Sequence, residues 1–117
     1  MNIQIFGRSS SFDTKKAQRY FKERRINFQY IDLNSKGMSK GELNSVLAAV
    51  GDIDKLLDPK AKGEAATLFR YLGSKEEKFE KLLDYPEIIA APVVRNGRQA
   101  TVGYCPDTWK SWEQGKC

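Results

Sequence analysis

A chain of 117 residues, 40% hydrophobic and 30% charged, has the length of one domain and the apolar content for one modest core. It contains no histidine, which excludes His-based triads and His-containing metal sites, and its two cysteines, Cys105 and Cys117, cannot make a structural zinc site alone. The net charge of +5 reads either as a mixed solvated surface or as the footprint of an acidic partner or nucleic acid.

No run of about 18 apolar residues is present, so no membrane association is expected. The N-terminus lacks a basic region followed by an apolar one, and the expected compartment is the cytoplasm. There a disulfide between Cys105 and Cys117 is not expected, and Cys117 reads as a free, incidental thiol.

In chain order, Asn2-Ile3-Gln4-Ile5-Phe6 reads as a strand that runs into a polar turn, Gly7-Arg8-Ser9-Ser10-Ser11. A basic helix follows over about 13–24, with Ala17, Tyr20 and Phe21 forming an apolar stripe and either Ser11 or Asp13 as N-cap. The basic cluster Lys15, Lys16, Arg19, Lys22, Arg24 and Arg25 lies on this helix, and Tyr20 and Phe21 within it read as core, so no direct nucleic-acid contact is expected. A second strand, Phe28-Gln29-Tyr30-Ile31-Asp32, comes next. A loop between a strand and a helix N-terminus suits an anion or a thiolate, because unpaired N–H groups and the helix dipole both favour negative charge. This loop holds serines and no cysteine.

The middle, about 34–85, reads as helical. Ser39 and Glu42 fit a capping box ahead of Leu43, Val46, Leu47 and Val50, and Gly51 stops that helix. A short helix at about 52–57 ends before Pro59, and helices follow at about 64–71 and 75–83. The end returns to sheet: Ala91-Pro92-Val93-Val94-Arg95 is a strand, Asn96-Gly97 a two-residue hairpin turn, and Arg98 to Gly103 the partner strand. A last helix runs from Asp107, as its cap, to about Glu113, with Trp109 and Trp112 as packing anchors. This order predicts an α/β protein with a four-stranded mixed sheet: a thioredoxin-like fold whose halves, about 1–33 and 86–117, are split by a helical insertion at about 34–85.

Three segments carry a resemblance. Ile3-Gln4-Ile5-Phe6-Gly7 leads into Ser11-Phe12-Asp13-Thr14-Lys15-Lys16-Ala17; Ala91-Pro92-Val93-Val94 follows far downstream; and Asn96-Gly97 leads to Val102-Gly103-Tyr104. In this order they resemble the ArsC/Spx family of thioredoxin-like proteins, which includes arsenate reductases and Spx-type transcription regulators. The resemblance implies a thiol-dependent reductase with glutathione or another thiol or disulfide as co-substrate and no bound cofactor or metal. It also implies a cis peptide before Pro92, facing the active loop, and a monomer. Its nucleophilic cysteine falls on Ser11 and its second cysteine on Thr14. Of its arginines, one falls on Ala91, one on Tyr104 and one near Asp58. Arg8, Lys15, Lys16 and Pro92 then surround the site as candidate substrate- or anion-binding residues.

A serine cannot form S–S bonds, and its hydroxyl stays protonated unless a base activates it. Ser11 therefore reads as the helix cap of a redox-dead member, as a replacement of a catalytic cysteine, or as part of a backbone anion site. The competing function is Spx-like binding of the RNA polymerase α subunit through the insertion, where Gly51 matches a contact glycine of that family and equally suits a helix C-cap.

Overall fold

The computed structural model describes residues 1–114; Cys117 lies outside them. The first strand, β1 (Ile3–Gly7), alternates Ile3 and Ile5 toward one layer with Phe6 toward the other. Helix α1 (Phe12–Glu23) buries Ala17, Tyr20 and Phe21 against the first of these layers. The chain then returns as β2 (Phe28–Asp32), parallel to β1, with Ile3 opposite Phe28 and Gly7 opposite Asp32.

In the middle, α2 (Lys40–Val50) starts at the Ser39–Glu42 capping box, both of whose hydrogen bonds form, at 3.1 and 2.9 Å. It ends at Gly51, whose φ of +87° is a left-handed C-cap. The short helix expected at 52–57 is a 3₁₀ turn, Ile53–Leu56, held by the Asp52 carboxylate accepting from the Asp54 N–H. Helices α3 (Glu64–Tyr71) and α4 (Lys75–Asp84) follow, and a second 3₁₀ turn, Pro86–Ile88, leads back to the sheet.

The sheet closes with β3 (Val93–Asn96), antiparallel to β1, and β4 (Gln99–Val102), antiparallel to β3, in the order β2–β1–β3–β4. Helix α5 (Pro106–Glu113) packs last. Three boundaries differ from the sequence reading. The third strand starts at Val93 and not Ala91, because Pro92 has no N–H to give a ladder; the Ala91–Pro92 peptide is cis. The hairpin loop is Gly97-Arg98, with Asn96 paired to Gln99; only Gly97 takes a positive φ (+60°), as the first position of a II′ turn does. Asp107 lies in the first turn of α5 and is not its cap; Cys105 holds that position without a side-chain capping bond.

Two apolar layers sandwich the sheet. On one side Tyr20 and Phe21 of α1 meet Trp109 and Trp112 of α5, and the Trp109 indole N–H donates to Thr101 Oγ1 at 2.8 Å. On the other, Phe6, Ile31 and Val93 meet Leu43, Leu56, Phe69, Leu82 and Ile89 from the helical segment. That segment is also pinned by backbone. Leu57 and Ile89 form an isolated antiparallel bridge, with Asp58 N–H donating to Ile88 O and Ala90 N–H to Leu56 O, each at 2.8 Å. The bridge brings residues 58–61 beside residues 87–91, which become two walls of the site. No helix among the described residues is long and apolar enough to cross a membrane.

Candidate functional site

The loop after β1 is shaped by contact with the helix it feeds. Arg8 to Ser11 make a turn, with Ser11 N–H donating to Arg8 O at 3.1 Å. Thr14, fully buried, folds back under it and accepts from Arg8 N–H at 3.3 Å. A Cβ on Gly7 would lie 2.4 Å from Thr14 Cγ2, so glycine is required there by close approach. Ser11 is the N-cap of α1, and its Oγ accepts from Thr14 N–H at 3.1 Å. Of the two cap candidates it is therefore Ser11 and not Asp13 that satisfies an otherwise orphaned donor.

A cleft of about 680 Å³ opens over this cap. Ser10, Ser11, Phe12 and Asp13 form one wall and Asp58 to Ala61 a second, with Arg8, Glu87, Ala90, Ala91, Val102 and Gly103 completing the lining. Phe12 stands at the mouth, 80% exposed. The cis Ala91–Pro92 corner brings Ala91 to the cleft, while Pro92 is buried and its carbonyl accepts from Gly103 N–H at 2.8 Å.

The four residues read as anion-binding from sequence are separated. Arg8 lines the cleft floor, 8% exposed, and its guanidinium turns inward. Its Nη2 donates to the carbonyls of Pro86 (3.1 Å), Glu87 (2.8 Å) and Ile89, and Nη1 sits 3.8 Å from the Asp58 carboxylate. Burial pulls its pKa down, opposed by Asp58, Glu87 and Asp32. Arg8 is a clasp between the first loop and the Pro86–Ile89 turn, with little charge to spare for a ligand. Lys15 and Lys16 lie outside the cleft, their ammonium groups 5.9 Å from the Phe12 ring and 5.6 Å from the Tyr104 ring. Pro92 and Thr14 support the cleft without lining it.

The charges that do line the cleft are three carboxylates, Asp13, Asp58 and Glu87, against Arg8 and the exposed Lys60. Lys60 and Glu87 were invisible as site residues in the sequence, and Asp58 was marked only as the place near which an arginine of the resembled family falls; the Leu57–Ile89 bridge carries all three there. Cys105 is half-buried at the foot of α5, outside the cleft, with its thiol directed to Val102 O at 3.4 Å. Burial raises its pKa, and the Asp13 charge adds to this against the opposing Thr101 hydrogen bond. Among the described residues no cluster of three His, Cys, Asp or Glu is placed to hold a metal.

No protein-family model matches the chain, and no curated protein matches it in sequence. Solved structures do. An arsenate reductase from Vibrio cholerae superposes with a TM-score of 0.78 at 18% identity, covering 92% of this chain and 94% of that one. An arsenate reductase (ArsC) related protein from Brucella melitensis gives 0.63 at 21% identity, with 97% and 96% covered. The chain has the ArsC-like thioredoxin fold. A glutaredoxin from Archaeoglobus fulgidus matches at 0.52 and 14% identity, over 97% of this chain and 87% of that one. In this ArsC-like fold the helical segment between β2 and β3 supplies the Asp58–Ala61 wall of the cleft, and the cap of α1 supplies Ser11.

Proposed function

We propose that the chain is a thiol-reductase homologue of the ArsC type, redox-inactive as written because Ser11 stands where the chemistry needs a cysteine. One observation carries this reading. Ser11 Oγ lies at the N-terminus of α1, in the wall of the cleft that Ala91 also lines, where it accepts from Thr14 N–H at 3.1 Å. A thiolate in that place would gain the same donor and the helix dipole, both of which lower a thiol pKa. A serine hydroxyl gains only a hydrogen bond, and no histidine is present to take its proton.

With a thiol at position 11, the co-substrate is glutathione or a small disulfide. In this reading a glutathione carboxylate would meet Lys60, which is exposed on the cleft wall, since Arg8 is held by carbonyls. The acidic remainder of the cleft argues against an oxyanion such as arsenate as substrate.

The test is the Ser11→Cys variant with Cys105 and Cys117 changed to serine. The pH dependence of alkylation should give a thiol pKa below the reference of about 8.5, and the variant, unlike the serine form, should reduce a small disulfide with glutathione. An unshifted pKa with no turnover refutes the reading. A second reading, contact with the RNA polymerase α subunit, draws on the exposed Gly51, which is also the left-handed C-cap of α2 and has no described atom within 4 Å of an added Cβ. It requires capture of that subunit by the serine form.

A further inference from the structure

The sheet ends at β2, and the flank of that strand is charged. Among the described residues β2 pairs with β1 alone. Beside it, Lys15, Arg19 and Lys22 recur along α1 at i, i+4 and i+7, which places them on one stripe of the helix. All three are exposed, and none is within ion-pair distance of a carboxylate among the described residues. Together with Gln18, Glu23 and Phe28 they line a groove of about 580 Å³ between α1 and the start of β2. The other edge strand, β4, has α2 packed against it, and α2 carries one basic residue, Lys40.

We propose that the β2 edge and this groove bind an extended acidic segment of a partner protein, which adds as a fifth strand beside β2 while its carboxylates meet Lys15, Arg19 and Lys22. The spacings agree. Helical rise sets Lys15 and Arg19 about 6 Å apart along α1, and alternate side chains on a strand stand about 7 Å apart. Acidic residues at i and i+2 of the incoming strand therefore meet Lys15 and Arg19, and Lys22, about 4.5 Å beyond Arg19 along α1, reaches the same strand through its long side chain. The backbone ladder supplies affinity, and the cation stripe chooses the sign of the partner.

Two other occupants fit less well. A second copy of this chain pairing β2 with β2 would bring the same cation stripe against itself, and like charges disfavour that join. A nucleic acid would satisfy the cations but has no use for the strand edge, and Phe28, half-buried, offers little ring for stacking.

The experiment is an amide NMR titration of the full chain with acetyl-(Glu-Val)4-amide, alongside acetyl-(Lys-Val)4-amide and an eight-nucleotide oligothymidine. The acidic peptide should shift the amides of Phe28 to Asp32, slow hydrogen exchange along that strand, and bind at least tenfold more weakly to the Lys15→Glu, Arg19→Glu, Lys22→Glu variant. These are surface positions, and a far-UV spectrum matching the parent confirms the variant's fold. The Lys15→Gln, Arg19→Gln, Lys22→Gln variant should bind with a flatter salt dependence. Oligothymidine binding as tight as the peptide's, equal binding of both peptides, shifts confined to α1 without protection of β2, unchanged binding by the charge-reversed variant, or no binding at millimolar peptide each overturn the proposal. Self-association of the free chain through β2 would do so as well.

Discussion

Replacing Arg8 with alanine cuts the clasp between the first loop and the turn that leads to β3. Its Nη2 carries two protons shared among the carbonyls of Pro86, Glu87 and Ile89, so two full hydrogen bonds are the ceiling. Charge-assisted bonds contribute about 1.5–3 kcal/mol each, which puts the gross loss at about 3–6 kcal/mol. Pro86 O keeps the Ile89 N–H at 3.1 Å, and water can reach the exposed Glu87, so part of the loss is recovered. The 3.8 Å pairing with Asp58, whose side chain is 31% exposed, adds less than about 1 kcal/mol. The expected net destabilisation is about 3 kcal/mol, a large share of the roughly 5–15 kcal/mol that holds a domain together. Urea unfolding followed by circular dichroism measures it, and native-state hydrogen exchange at Asp58 and Ala90 should rise earlier than exchange in β1, because the Leu57–Ile89 bridge loosens first. Arg8→Lys keeps a donor and a charge and should lose roughly half as much. A destabilisation below about 0.5 kcal/mol for Arg8→Ala, with an unchanged urea slope, refutes the clasp.

Two further outcomes are expected. Gly7→Ala forces a methyl to within 2.4 Å of Thr14 Cγ2 and should cost at least about 1–3 kcal/mol in thermal or urea unfolding; adding Thr14→Ala should return part of it, and strictly additive losses would show that the two side chains do not meet. Tyr20, buried and donating to Glu113 at 2.5 Å, has its phenol pushed up to about 12, first by burial and then by that carboxylate. Its contribution to stability is whole below pH 10, where both states are protonated, and is lost as pH rises toward 12, because the unfolded phenol ionises first. Glu113→Gln removes the charge, so the decline in unfolding free energy between those pH values should be smaller in the variant.

The legible part of this protein was its local grammar. Ser39, Glu42 and Gly51 mark the ends of α2 by capping chemistry that acts within a few residues, and they sit where that chemistry requires. The alternation of Ile3 and Ile5 with Phe6, the stripe Ala17, Tyr20 and Phe21, and the Gly97 turn likewise specify strand, helix and hairpin from neighbours alone. The order of elements, and with it the thioredoxin-like sheet, was legible from the predicted elements themselves, and the cis bond before Pro92 through resemblance of short segments. The misplaced boundaries, at Val93, Gly97-Arg98 and Pro106, lie where a proline or a turn residue changes which backbone groups are free to pair.

The character of the site was decided by contacts between distant residues. Arg8, Lys15 and Lys16 stand close in sequence and read as one basic rim, yet Arg8 turns inward to carbonyls 78 to 81 positions away and the lysines lie outside the cleft. Asp58, Lys60 and Glu87 enter the cleft through the Leu57–Ile89 bridge, which leaves no periodic trace in the chain. Sequence determines which groups a segment carries and how it bends locally. Where a charge points, and what it faces, depends on which buried carbonyls and carboxylates the tertiary fold leaves in need of a partner.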